Sequence, residues 1–377
     1  MIRTTPGISR QELKDVLGLS QPSVARHVTA LIKGGLVEQG APIASRGTGG
    51  SGATIDDTTT GRPTSGLFPT GQGPIGLGAH IGLRSTALVA TDALGHPLAQ
   101  RTLGLSVPDA SPEDALEAIG HALLSLAREQ GAETEDLQVG LALSPHVDNR
   151  GRVSSRTFGW EDVDPGAIIA EITGVPTSIS TGVSAMAGFQ LMNTPLPSRG
   201  ADSFSSTLYF YARELVAHAW IFNGAVHKPH TGTSPAAFRH IAASGSFAGA
   251  PEGAHPLGTT SLLRAAGERG IRARTLQELV RRGQEDARAR ALLDERAHLL
   301  GKLLSLAVDV VDPENLVVAG ETFTTDPRTT RIVADGLRRH EGPRRRLHIH
   351  RAGEDILANA ASAVALNEFR HDPLKAL

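Results

Sequence analysis

Cysteine is absent from the 377 residues, which excludes a disulfide framework, a thiol nucleophile, a cysteine-held iron–sulfur cluster and a thiolate zinc site. Any metal would have to be held by His, Asp and Glu. Aromatic residues are scarce, at 4%, and no window approaches the roughly 18 uninterrupted apolar residues of a membrane-crossing helix. The opening MIRTTPG lacks the apolar stretch of a secretion signal, so a cytoplasmic protein without a membrane partner is expected. A dominant charge is missing as well. With 37 basic residues against 39 acidic ones there is no uniform basic coat, and any contact with nucleic acid has to be local.

Glycine (42) and proline (22) are frequent, and 40% of residues are hydrophobic, enough for a globular core. Composition changes near residue 70. Residues 8–40 are periodic and mixed, whereas residues 41–66 are almost entirely Gly, Ser, Thr, Asp and Pro and read as a wing tip and linker, since such a stretch cannot bury a core. Apolar runs at 75–79, 86–91 and 97–103 then predict a three-stranded meander. Ser111, followed by Pro112, Glu113 and Asp114, predicts a helix to about residue 130. Strands at 137–143, 177–180, 316–319 and 347–350 alternate with helices at 165–172, 183–191, 286–311, 327–339 and 356–369. Residues 208–222 read as two strands or one long hairpin arm. The alternation predicts α/β layers.

Residues 8–40 carry the first functional signal. Ser9 is placed to cap a helix bearing Leu13, Val16 and Leu17, Gly18 breaks it, and Ser20 caps a second helix with Pro22 in its first turn. Val24, Val28 and Leu31 share one face, which leaves Gln21, Ser23, Arg26, His27 and Thr29 on the other. This is the pattern of a helix-turn-helix, whose second helix enters the DNA major groove; an ordinary helical hairpin is the other reading. Charge favours the former. Through residue 50 six basic residues (Arg3, Arg10, Lys14, Arg26, Lys33, Arg46) face three acidic ones, so the head is the basic part of the chain. The expected DNA contacts are Ser20, Gln21, Ser23, Arg26, His27, Thr29, Lys33, Arg46 and Arg62, the last in a Gly-Arg-Pro tripeptide suited to a narrow minor groove or, alternatively, exposed on a linker.

The succession GISRQELKDVLGLSQPSVARHVTALIKGGLVEQG, GRP, IGLGAHIGLRSTALVATDALGHPL, GLALSPHVDNRGRV, GW, GVP and DPENLVVAG resembles a ROK-family transcriptional regulator over nearly the full chain. The resemblance implies an α/β protein: a winged helix-turn-helix at 1–70, then two actin-like (ribonuclease H-like) ROK domains at 71–185 and 186–377, with the last helix packing back on the first. It implies a dimer or tetramer, a double-stranded operator as partner and a sugar-like effector. Relatives carry a further helix before the segment matching Pro6-Gly7, so the faces of Leu13, Val24 and Leu31 are expected to lack part of their cover, through either an upstream start or a trimmed head.

Departures from the pattern are more informative than matches. The first phosphate turn, resembling DxGGT in ROK kinases, is His80-Ile81-Gly82-Leu83-Arg84 here, and the second Gly-rich loop is replaced by residues 213–219, with no glycine. The segment resembling ENDANAAA reads STGVSAMA from Ser180, so Gly182 stands where the resemblance places the catalytic aspartate, and glycine carries no base. The ExGH sugar clasp is reduced to His240, and the zinc loop is gone. Ser180, Thr181, Ser184 and His240 are the expected remnants of an effector site, although His240, whose usual acidic companion is missing, reads more readily as a hydrogen-bonded helix or loop histidine. His348 and His350 read as a surface pair, and arginines at 338, 339, 344, 345 and 346 as a solvated run. No catalytic residue, cofactor or metal is expected. The expected function is a DNA-binding regulator, acting as a repressor, with a non-catalytic body; the alternatives are a divergent ATP-dependent sugar kinase or an interaction module that has lost DNA binding.

Overall fold

The computed structural model describes residues 1–40, 65–83, 85–193, 206–230, 232, 238–251, 253–338, 346–350 and 356–375. The head consists of α1 (Arg10–Leu17), α2 (Gln21–Lys33) and an antiparallel pair, β1 (Val37–Gly40) and β2 (Gly66–Pro69). Ser9 caps α1 reciprocally: its hydroxyl accepts from the Glu12 N–H, and its own N–H donates to the Glu12 carboxylate at 2.7 Å. Gly18 ends the helix with φ 66°, a left-handed value that favours glycine. Ile8, Leu13, Val24, Val28, Val37 and Leu67 form the head's own core, and Met1 and Ile2 pack against it, so part of the cover expected to be missing is supplied locally. Gly66, expected as linker, lies opposite Gly40 in the strand pair, because the backbone bonds of the wing extend one residue further than composition suggests.

The body repeats one arrangement. Its first half comprises β3 (Ile75–Ile81), β4 (Thr86–Thr91), β5 (Pro97–Leu103), α3 (Pro112–Glu129), β6 (Leu137–Leu143), β7 (Val153–Ser155), β8 (Trp160–Val163), α4 (Pro165–Thr173), β9 (Thr177–Thr181) and α5 (Gly182–Asn193). The second half comprises β10 (Ser206–Ala212), β11 (Val216–Phe222), β12 (Ala225–Val226), α6 (Arg239–Ala242), α7 (Thr259–Glu268), α8 (Leu276–Arg282), α9 (Ala287–Val311), β13 (Asn315–Ala319), α10 (Glu321–Thr325), α11 (Pro327–Arg338), β14 (Arg346–His350), α12 (Ile356–Ala365) and α13 (Asn367–His371). The sheet orders are β5-β4-β3-β6-β9 and β12-β11-β10-β13-β14. Each is an antiparallel meander continued by two parallel strands, the duplicated order of an actin-like fold.

The two sheets share a middle layer. Leu77, Ile81, Leu88 and Leu141 face α3, and Leu208, Phe210 and Leu316 face the α7–α9 layer, each fully buried Leu contributing up to about 1.5–3 kcal/mol. On their other faces both sheets meet α5 and α12. The alanine-rich α12 lies so close that a β-carbon on Gly78 or Gly140 would fall 2.6 Å from the backbone of Ala361 or 2.2 Å from that of Ala365. The single helix expected at 356–369 is in fact two, breaking at Leu366, where the chain turns so that Phe369 can reach the head. The β7–β8 hairpin and β12 are too short to show a period and were not expected.

Candidate nucleic-acid interface

α2 owes its start to Ser20, whose hydroxyl accepts from the Ser23 N–H at 3.3 Å and shares a hydrogen bond with the Ser23 hydroxyl at 3.0 Å. These two serines therefore spend their hydroxyls on the cap, and Ser23 is half-buried. Burial of Val24 and Val28 fixes the rotation of the helix and turns Gln21, Arg26, His27, Thr29 and Lys33 outward, all exposed. Lys33 lies in the last turn, where a cation suits the helix dipole and stands one full helix length from Gln21. The expected contacts at Arg46 and Arg62 lie outside the described residues, as do most of the arginine run and Arg84.

The head is docked on the body rather than hung from it. Leu36, with Leu31 beside it, packs on Ala93 of the β4–β5 turn and on Leu366 and Phe369. Arg3, counted from sequence among the head's basic residues, donates to the Met192 carbonyl near the end of α5. Arg370 donates to the Leu94 carbonyl at 3.0 Å and also contacts the Met192 sulfur. Burial lowers the Arg370 guanidinium to about 10, still charged at neutral pH.

At the opposite end of α5 is the altered cleft. Thr181, buried, donates from its hydroxyl to Ser184 at 3.1 Å, and Ser180 is half-buried beside it, so three of the four expected effector residues gather at the β9–α5 junction. His240 does not join them through any hydrogen bond among the described residues; it is exposed on the short helix α6. A further residue of this cleft is His80, which the sequence marks only as the start of the altered phosphate turn. It is buried at the end of β3, its Nε2 faces Gly182, and burial, with the nearby Arg213 charge, lowers the imidazole to about 4, so it is neutral at pH 7. Its position was legible: Gly76, Gly78 and His80 alternate on the strand face opposite Leu77, Ala79 and Ile81.

The replaced second loop is equally occupied by protein. The Arg213 guanidinium lies 3.6 Å from the Glu321 carboxylate, and the Arg213 carbonyl accepts from the Thr259 N–H at 3.0 Å. The Thr260 hydroxyl donates to the Glu214 carboxylate at 3.0 Å, so an internal acid stands in the first turn of α7. A phosphate brought there would meet that carboxylate and lose the helix-terminus attraction that anions normally find. No helix among the described residues is long and apolar enough to cross a membrane.

A family model described as winged helix-turn-helix DNA-binding matches residues 1–38. Transcriptional regulators Rv0485 of Mycobacterium tuberculosis and Mb0495 of Mycobacterium bovis are each 31% identical to the chain over 410 aligned positions, covering 100% of this chain and 85% of theirs. Among solved structures, a ROK family transcriptional regulator, described as a homologue of the Escherichia coli MLC protein, superposes with a TM-score of 0.74 at 13% identity, covering 98% of this chain and 94% of that one. The ROK hexokinase of Thermus thermophilus superposes with a TM-score of 0.63 at 21% identity, covering 79% of this chain and 99% of its own. The hexokinase shares the fold of the body.

Proposed function

The chain belongs to the ROK family of transcriptional regulators, and from that premise we propose that it is an operator-binding repressor with a paired head and a body without kinase chemistry. The observation that carries the reading is the rotation of α2: its apolar side is spent on the head's core, and its exposed side offers Gln21, Arg26 and Thr29 where base edges lie when such a helix enters the major groove. Arg26 suits guanine O6 and N7, Gln21 suits adenine, and Lys33 suits a phosphate. Arg62 is proposed for an A·T-rich minor groove and Arg46 for the backbone nearby.

The division proposed for these tasks is a DNA-binding unit at 1–70 and body domains at 71–185 and 186–377. A single head makes too few contacts for tight, selective binding, so a homodimer is the smallest functional unit, with a tetramer built from dimers the other arrangement. The absence of a base at Gly182 and the protein-filled second loop support a body that transfers no phosphate. The cleft residues Ser180, Thr181 and Ser184 are neutral, which favours a ligand other than a simple hexose. Fluorescence anisotropy with DNA from upstream of the chain's own coding region tests the reading: saturable binding that survives excess competitor DNA is expected, and binding no tighter than to random sequence overturns it.

A further inference from the structure

Residues 70–74 join β2 of the head to β3 of the body. Fully extended, such a connector would span roughly 17 Å, slack enough for a head to travel several base pairs at about 3.4 Å each. The structure takes that slack away. The Thr70 hydroxyl donates to the Gly35 carbonyl, and the Thr70 N–H donates to the Leu36 carbonyl at 3.2 Å, which ties the connector to the head. Gly71 and Gly73 have φ of 76° and 123°, left-handed values that favour glycine. A β-carbon at Gly71 would sit 3.0 Å from the Asp92 carboxylate, and one at Gly73 would sit 3.1 Å from Leu36, 3.2 Å from Ala93 and 3.4 Å from Phe369. The connector therefore lies in the same seam as the apolar plug and touches head and body at once. A second fastening is polar. Arg3 of the head and Arg370 of the body both reach Met192, and Arg370 is pressed against Gly95, where a β-carbon would fall 2.5 Å from its Nη2. That turn is itself held by Asp92, whose carboxylate accepts from the N–H groups of Leu94 at 2.9 Å and His96 at 2.8 Å.

We propose that this joint sets the operator spacing the protein accepts, with Gly73 and Phe369 as positioning residues for the paired heads. The inference rests on the operator-binding dimer proposed above and adds what fixes the separation of its reading helices. Two heads engage together only when the half-sites lie at the separation the protein presents. Inserting two base pairs moves one half-site by about 7 Å and turns it by about 70° around the DNA axis. A head on a free tether absorbs much of such a shift, because a flexible link loses effective concentration only gradually with distance. A docked head does not, since following the half-site would separate Phe369 from Leu36 and Arg3 from Met192. Rigidity at the seam is thereby converted into selectivity for operator length, independently of the base preference that α2 carries.

Gel-shift titrations of the full chain on a spacing series provide the test. The series starts from the sequence the protein protects upstream of its own coding region and moves the half-sites by two base pairs in each direction. The parent is expected to lose about 100-fold in affinity on the shifted operators, as when one of two linked contacts is lost. Phe369→Ala, Gly73→Ala and, separately, a Gly-Ser-Gly-Ser insertion after Gln72 should each lose less than about 10-fold, because their heads are free to follow. Phe369→Leu, which keeps the plug filled, should stay as strict as the parent. Duplexes carrying a single half-site should bind the parent and all the variants equally, which separates positioning from base reading. A parent that tolerates the shift, or an insertion and a Gly73→Ala variant as strict as the parent, overturns the role of the joint and leaves operator binding standing. A parent that binds the upstream DNA no tighter than random sequence overturns both.

Discussion

A β-carbon added to Gly182 would sit 3.1 Å from Nε2 of His80, so the space that the resemblance assigns to a catalytic carboxylate is bordered by a neutral imidazole. Two positions far apart in the sequence, both departures from the pattern that the resemblance implies, thus face one another across the β3–α5 junction. Restoring the base alone should not restore turnover, because residues 213–214 still occupy the second loop. Coupled ADP-release assays across hexoses and amino sugars should stay at background for the parent and for Gly182→Asp; turnover near one per second by either would sink this reading. Loss of a general base alone accounts for about 10²–10⁴ in rate.

His80 also makes stability depend on pH. The fold holds it neutral down to about pH 4, whereas an unfolded chain protonates it near its ordinary value of 6.5. Across that window the unfolded state binds more protons, so acidification favours unfolding and the stability present above pH 6.5 is lost as pH falls toward 4. Between pH 7 and pH 5 the loss attributable to this one group is about 2 kcal/mol. Unfolding free energies from urea titrations at the two pH values should converge by about that amount in His80→Gln; an unchanged difference would show that another group carries it.

For the reading helix, Arg26→Ala should cost about 1–3 kcal/mol of operator affinity and relax preference at one base position. Lys33→Ala should weaken all sequences alike and reduce the salt slope by about one charge. The two signatures separate base reading from phosphate neutralisation. Operator titrations in which Arg26→Ala keeps both affinity and preference would remove α2 from that role.

The joint between head and body is predicted to be cooperative. Removing the Phe369 ring, buried against Leu36 and Ala93, should cost about 3 kcal/mol. Amide exchange in α1 and α2 should accelerate while β3 and β6 remain protected. Uniform acceleration through both sheets would instead mean that Phe369 supports the body as a whole.

The legible part of the fold is the part with a period. Strands β3, β4 and β6 and helices α3, α9 and α11 were expected within a few residues because each buries a face whose spacing is written in the chain, whereas β5, with no fully buried residue, was marked by the Gly-containing turn before it. Ser9 and Ser20 announced their helices because caps act through local hydrogen bonds. What stayed hidden depends on partners remote in sequence. Arg3 reads as one more basic residue of a DNA-binding head until Met192 is seen beside it, and Phe222 reads as a core strand residue until β11 proves to end in solvent. His240, named from the likeness alone, is exposed on α6, a four-residue helix too short to show a period in the sequence.

The contact of α12 with Gly78 and Gly140 sets the order in which the protein can be made. A nascent chain exposes the head, β3 to β6 and α5 long before residues 356–366 are synthesised, yet one face of the first sheet has its covering helix only then. Until that moment the sheet presents unsheltered apolar surface, the condition in which large chains aggregate or wait on chaperones. The step that completes the sheet also delivers Leu366 and Phe369 to Leu36. The surface on which the head docks is therefore complete only once residues 356–371 have folded onto the first sheet.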